Sequence, residues 1–310
     1  MKFRWVTMIF LRLLPRGRDS GKATQARDQQ ARQLAAAARE GDAASLASLI
    51  AAGADPRWDN SRALVEAAYN GWEDCVRILT PLSDARADGS AALQMAVCRG
   101  HPGCVKLLLG ASNPKANESY ALRLAAHYGL AECLRLLLPV SDAKAHDSAA
   151  LWWAAQQGRV ECLKMLLPVS DPKAGNSRAL GSAGLHGHAE CVRLLLPVSD
   201  AAANDSAAIR GAARFGHVEC VRLLAASRPL AEIDGLLEDV IKAGGARMAA
   251  LLIEEEPRLL DGVNLSKCLA AAIENERGEM ASYLSSLIDK KELLGGAAGF
   301  PTGIGGRSRL

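Results

Sequence analysis

Aromatic side chains are scarce in this chain. Phe, Trp and Tyr make up 4% of 310 residues, while 49% are hydrophobic. Such a core is filled by small and aliphatic side chains, which suits closely packed helices. Charge of one sign is also missing: the net charge is +3, too little to argue for a nucleic-acid partner. What basic excess exists sits at the front. Residues 1–30 hold Lys2, Arg4, Arg12, Arg16, Arg18, Lys22 and Arg27 against Asp19 and Asp28, so the remaining 280 residues are slightly acidic. Long apolar runs are absent from the leader, where Trp5–Leu11 is ended by Arg12. That excludes a span, which needs about 20 residues. No A-x-A-like cleavage site follows, so the leader reads as a short amphipathic or disordered segment, one weak signal for touching an anionic membrane surface. There is no CxxC, HExxH, Walker-type loop or G-x-S-x-G, which removes the usual local signatures of redox, metal, phosphate and acyl chemistry.

What is present is a period. Cys75, Cys104, Cys133, Cys162, Cys191 and Cys220 recur every 29 residues. Ser61, Ser90, Ser119, Ser148, Ser177 and Ser206 keep the same step, as do Gly71, Gly100, Gly129, Gly158, Gly187 and Gly216. A fixed period of this length marks a repeat array rather than separate globular domains. Equivalent residues of stacked helices lie about 8–10 Å apart, beyond the roughly 7 Å limit for a disulfide. The cysteines therefore read as small buried hydrophobes and free thiols, as in a reducing compartment.

Each regular unit (54–82, 83–111, 112–140, 141–169, 170–198 and 199–226) predicts a helix pair. Ser148 and its equivalents precede an apolar run, where a hydroxyl can cap a helix. Ala150, Leu151, Ala154 and Ala155 form an i, i+3, i+4 stripe. Alanine at 67, 96, 125, 154, 183 and 212 is invariant across the units, as where two backbones approach too closely for anything larger than a methyl. Gly158 stops the first helix. Cys162, Leu163, Leu166 and Leu167 line the second, which Pro168 stops. An earlier pair starts near Ala31, and two degenerate pairs occupy about 229–258 and 261–290, as end units must cover the core. The expected organisation is a basic leader and linker at 1–30, an array at 31–290, and a glycine-rich disordered tail at 291–310. The leader and tail are too short for a catalytic domain.

The unit L-x-x-A-A-x-x-G-H-x-E-C-V-R-L-L-L resembles the ankyrin repeat. Ala51–Pro56 (AAGADP), Gly187-His188 with Glu190, and Gly216-His217 with Glu219 carry the resemblance most closely. It implies an all-α ankyrin-like solenoid of about nine helix pairs, and a non-catalytic scaffold that binds a partner protein in a concave groove. The unit departs from the family in being four residues short of the common 33, the loss falling where ankyrins place a β-hairpin finger; the fingers should be shortened to tight turns. Similar short units occur in bacterial repeat proteins, including secreted effectors, so capture of a host protein by an exported effector is the alternative.

Candidate site residues are those that the period leaves variable. Tyr69 and Asn70, Cys98 and Arg99, His127 and Tyr128, Gln156 and Gln157, Leu185 and His186, and Arg214 and Phe215 precede successive stop glycines. Tyr120, Arg123 and Trp152 vary on the same helices. Aromatic residues and arginine are enriched at binding hot spots, so Tyr69, Asn70, Arg99, Tyr120, Arg123, His127, Tyr128, Trp152, Gln156, Gln157, His186, Arg214 and Phe215 are the expected protein-binding set. Trp153 is assigned to the core side of its helix. His101, His188 and His217, each next to a stop glycine, read as structural hydrogen bonders. Two charge ladders, Asp55/Asp84/Asp142/Asp171/Asp200 before Arg57/Arg86/Lys144/Lys173/Ala202, and Glu132/Glu161/Glu190/Glu219 before Arg135/Lys164/Arg193/Arg222, read as self-paired solvated faces. Catalytic residues, metal ligands and cofactors are expected to be none, with no nucleic acid and no stable membrane insertion. A cytoplasmic monomer is expected, with secretion through the leader as the other option.

Overall fold

The structure, a computed structural model, describes residues 22–227, 235–243, 245–255, 257–260 and 263–295. The basic leader and the glycine-rich tail lie largely outside these residues. The chain divides by packing between Asn113 and Pro114. The first unit holds α1 (Lys22–Glu40), α2 (Ala43–Ala51), α3 (Trp58–Asn70), α4 (Glu73–Leu79), α5 (Ala87–Arg99) and α6 (Pro102–Leu108). The second holds α7 (Ala116–Tyr128), α8 (Ala131–Leu137), α9 (Ala145–Gln156), α10 (Val160–Leu166), α11 (Ala174–Leu185), α12 (Ala189–Leu195), α13 (Ala203–Arg214), α14 (Val218–Ala225), α15 (Leu236–Ala243), α16 (Ala246–Glu255), α17 (Leu265–Glu274) and α18 (Gly278–Gly295). These form nine helix pairs, with no strand among the described residues. The shortened β-fingers are thus turns. Helix α1 also begins nine residues before the expected start at Ala31, taking in part of the segment read as linker.

Within each unit, first helices pack on first helices and second on second. The core is a set of ladders at the repeat spacing. Leu64 and Leu93 in one unit, and Leu122, Leu151, Leu180 and Ile209 in the other, are buried, as are all six ladder cysteines. Each buried aliphatic side chain contributes about 1.5–3 kcal/mol. The invariant alanines are fully buried at first-helix contacts, where a larger residue would overpack. In the degenerate pairs Leu237, Val240, Met248, Ala272, Met280 and Leu284 keep the pattern, but Ile273 is exposed.

The serine ladder does not cap helices. Each regular first-helix segment opens with a turn of the opposite hand: Asp59, Asn60 and Ser61 have φ of 51°, 54° and 59°, and His146, Asp147 and Ser148 have 51°, 53° and 55°. The turns at 88–90, 117–119 and 175–177 are alike, and Asn204 and Ser206 share the conformation. A left-handed residue costs roughly 1–2 kcal/mol, least for Gly, Asn and Asp. The residues leading into these serines are mostly of those types. The serine hydroxyl compensates by joining repeats. Ser148 is 2% exposed, and its Oγ accepts the Asp171 N–H at 2.9 Å. Ser61, Ser119 and Ser177 accept from Asp84, Asp142 and Asp200 at 2.8–2.9 Å. The aspartate carboxylates in turn accept the backbone N–H two residues on, as Asp171 does from Lys173 at 2.9 Å. The first charge ladder is therefore a series of Asx turns, not a set of side-chain ion pairs. The second does pair locally, at 2.9 Å for Glu161–Lys164 and 3.6 Å for Glu190–Arg193.

Candidate functional site

Five positions of each first helix fall at i, i+3, i+4, i+7 and i+8 and so share one stripe. In α9 they are Ala149, Trp152, Trp153, Gln156 and Gln157. The predicted site residues all lie on this stripe. In the first unit, the Arg99 guanidinium sits 4.8 Å over the Tyr69 ring. Asn70 is committed locally, its Nδ2 donating to the Glu66 carbonyl at 2.8 Å. Glu66 occupies the same stripe and is gripped by Arg39 through two hydrogen bonds of 2.9 and 3.1 Å. Those bonds raise the Arg39 pKa.

The second unit gathers the larger cluster. The Trp153 ring lies 6.4 Å from Tyr120, 5.1 Å from His127 and 6.0 Å from Trp152, all edge-on. His127 meets Tyr128 at 4.9 Å. The Arg123 guanidinium lies 5.1 Å over Tyr120 and 5.9 Å over Trp153, while its Nη2 donates to the Asn117 carbonyl at 2.8 Å. Arg178 sits 3.7 Å over Trp152. Trp152 is fixed from the other side, its Nε1–H donating to Ser182 Oγ at 2.6 Å. Trp153 therefore is not a core residue. It is partly exposed and central to the cluster. Its large ring cannot enter the alanine-lined first-helix contact, so it lies along the surface.

The structure thus joins Tyr120, Arg123, His127, Tyr128 and Trp152, and adds Trp153, Arg178 and Ser182, which the sequence reading left out. Gln156 and Gln157 are half-buried at the end of α9. His186 is tied to its own helix through the Ser182 carbonyl at 2.9 Å and stacks on His188. Arg214 is the last residue of α13 and Phe215, 59% exposed, caps its end. The spacing could have found Trp153 and Ser182, since both occupy the i+4 column of their helices.

The residue after the stop glycine forms a separate, structural ladder in every regular unit except at Leu130, whose side chain has no donor. His188 Nε2 donates to the Gln156 carbonyl at 3.0 Å and His217 Nε2 to that of Leu185 at 3.2 Å. Arg159 Nε reaches the His127 carbonyl at 3.3 Å. In the first unit His101 reaches Tyr69 at 3.2 Å and Trp72 reaches Arg39 at 2.9 Å. Each of these side chains lies on the preceding stop glycine: a Cβ on Gly158 would come within 2.6 Å of His188. Glycine is needed there both for the left-handed stop and for this contact. Burial pushes the Cys104, Cys133 and Cys191 thiols up to about 11, so they are protonated and unreactive. Among the described residues no group of three His, Cys, Asp or Glu could hold a metal, and no helix is long and apolar enough to cross a membrane.

Residues 34–119 and 110–176 match the family model for ankyrin repeats, three copies. Over residues 34–176 the chain is built of ankyrin repeats. One solved structure, the human ASB11 ankyrin repeat domain, matches with a TM-score of 0.47 at 24% identity, over 54% of this chain and 83% of that one. No curated protein matches. As an ankyrin-repeat protein the chain has an all-α helical-repeat fold, of a type that generally serves protein–protein interaction. Its regular ladders continue beyond the matched residues to Leu224.

Proposed function

We propose that this ankyrin-repeat protein is a non-catalytic scaffold that binds a partner protein along the first-helix stripe, the concave groove of an ankyrin array. One observation carries the reading: Tyr120, Arg123, His127, Trp152 and Trp153 form a partly exposed aromatic and cationic cluster. It stands at positions that the repeat does not use for its core. Rings held by neighbouring cations lose little freedom when a partner docks, which favours affinity. The buried thiols suit a reducing compartment, and we place the protein in the cytoplasm as a monomer.

The test compares capture of partners by the wild type, by Trp152→Ala/Trp153→Ala, and by Glu161→Ala/Lys164→Ala on the second-helix face. A partner retained by the wild type and the second-helix variant but lost by the tryptophan variant supports the reading. An unchanged set of partners on the tryptophan variant would overturn it.

A further inference from the structure

We infer that the first-helix stripe of the second unit takes an acidic peptide segment bearing apolar side chains. This inference rests on the binding surface proposed above. Across α7, α9, α11 and α13 the stripe carries Arg123, Arg178, Arg210 and Arg214 and no Asp or Glu. Arg210 is committed to Asp239 at 2.8 Å. Arg123 and Arg178 make no ion pair among the described residues; Arg123 Nε is enclosed and its Nη2 is given to Asn117, so the exposed Arg178 is the better placed of the two for a bidentate grip.

Both of these arginines are held by their faces on aromatic rings, which leaves guanidinium N–H groups at the edge. A stacked guanidinium can still grip a carboxylate through two parallel hydrogen bonds, and a pre-positioned one loses less entropy in doing so. The same geometry argues against a cationic ligand such as an alkylated lysine. The ring faces that would hold it are already covered by the protein's own cations.

The apolar half of the occupant has a receptacle. A cleft of about 320 Å³ lies between α11 and α13, lined by Arg178, Gly181, Leu185 and Ala207 and also by the polar Asn204 and by Asp200, whose carboxylate is held by the Ala202 N–H. It is large enough for one partner side chain. Leu185 is exposed at one of its walls, and a Cβ placed on Gly181 would meet nothing within 4 Å. Glycine keeps that wall open, next to Arg178. An acidic residue gripped by Arg178 with an apolar neighbour in the cleft satisfies both features. A single-stranded polyanion is the competing occupant, since bases also stack on aromatic rings. The stripe has four arginines, one of them committed to Asp239, which is too few for a row of phosphate contacts.

The probe is a displayed library of random peptides selected on the full-length protein, with a fluorescent oligothymidylate as a second probe. Peptides enriched in Asp and Glu beside apolar residues are expected. Their affinity should fall about tenfold or more in Arg123→Gln/Arg178→Gln, as charge-assisted hydrogen bonds are lost. Gly181→Glu should abolish binding while leaving the melting temperature unchanged or higher, because the new side chain has room and is a better helix former. Enriched peptides without acidic bias that still need Trp152 would overturn this inference and leave the binding surface standing. Peptides indifferent to every stripe variant would overturn both. Failure to enrich any peptide, or tighter binding of oligothymidylate, would also overturn the inference.

Discussion

Substituting Asp147 by glycine should stabilise the protein, although the residue lies at what sequence alone reads as a helix start. Asp147 is exposed and left-handed, with φ of 53° and ψ of 45°. An ordinary residue there costs roughly 1–2 kcal/mol, with aspartate at the low end. Glycine removes that cost but loses about 0.5–1 kcal/mol through the freedom it gains in the unfolded chain. The balance is a gain of a few tenths of a kcal/mol. Asp147→Val should lose about 1–2 kcal/mol, because a β-branched side chain is a steric outlier in this region. The glycine variant should therefore exceed the valine variant by about 2 kcal/mol. In a right-handed first turn the order would invert, since glycine costs about 0.8–1 kcal/mol relative to alanine and valine less. Urea denaturation of both variants, followed by helical circular dichroism, reads the sign directly. A valine variant at least as stable as the glycine variant would refute the left-handed turn. The chain already makes this experiment at Gly89 and Gly175, which sit left-handed in equivalent turns.

Removing the Ser148 hydroxyl by Ser148→Ala leaves the Asp171 N–H without its acceptor and should cost about 1–3 kcal/mol; a shift of the urea midpoint no larger than that of an exposed Ser→Ala control would contradict the inter-repeat role. Burial lowers the His188 pKa, with help from the nearby His186, His217 and Arg159. A base depressed in the folded state favours folding above its unfolded pKa of about 6.5. That stability is lost as the pH falls from there toward the folded value. His188→Gln should therefore flatten the acid side of the stability profile between about pH 7 and 5, and equal slopes in both proteins would rule this out. Finally, a disulfide-exchange reagent on the native protein should modify Cys98 and Cys268 first, since both are partly accessible and the other six thiols are buried; prompt reaction of all eight would mean that the ladder is open to solvent.

Much of this architecture was legible from the spacing of a few residue types. The 29-residue step of Cys, Ser and Gly placed the helix pairs because each of these residues meets a local demand that recurs in every unit. Alanine at 154 and its equivalents announced the close first-helix contact. The serine was legible as a position but not as a role. A hydroxyl before an apolar run looks the same whether it caps its own helix or receives an N–H 23 residues later. The left-handed turn did leave a trace, in pairs such as Asp59-Asn60 and Gly175-Asn176, but its hand depends on where the chain must return after the second helix. The binding stripe was only half visible. Variability before the stop glycine exposed Tyr128 and Gln157. Trp153 looked like core because a periodicity of large apolar residues does not distinguish a ring facing inward from one lying across a surface.

The ladder that runs from the residue after each stop glycine to the first helix of the preceding repeat has a consequence for chain length. Repeats with Arg159, His188 or His217 at this position offer one donor backward and one carbonyl forward, so their two sides match a neighbour of the same kind, whereas Leu130 in the unit before them has no donor to give. Excising residues 145–173 would bring His188 to the His127 carbonyl where Arg159 now donates, and the Ser119–Asp142 and Ser177–Asp200 bonds would remain whole. A cut that is not a whole number of 29-residue repeats would put the donors and carbonyls out of register. The array can thus grow or shrink in steps of one repeat, and each step adds or removes a complete set of stripe side chains without redesign of what supports them.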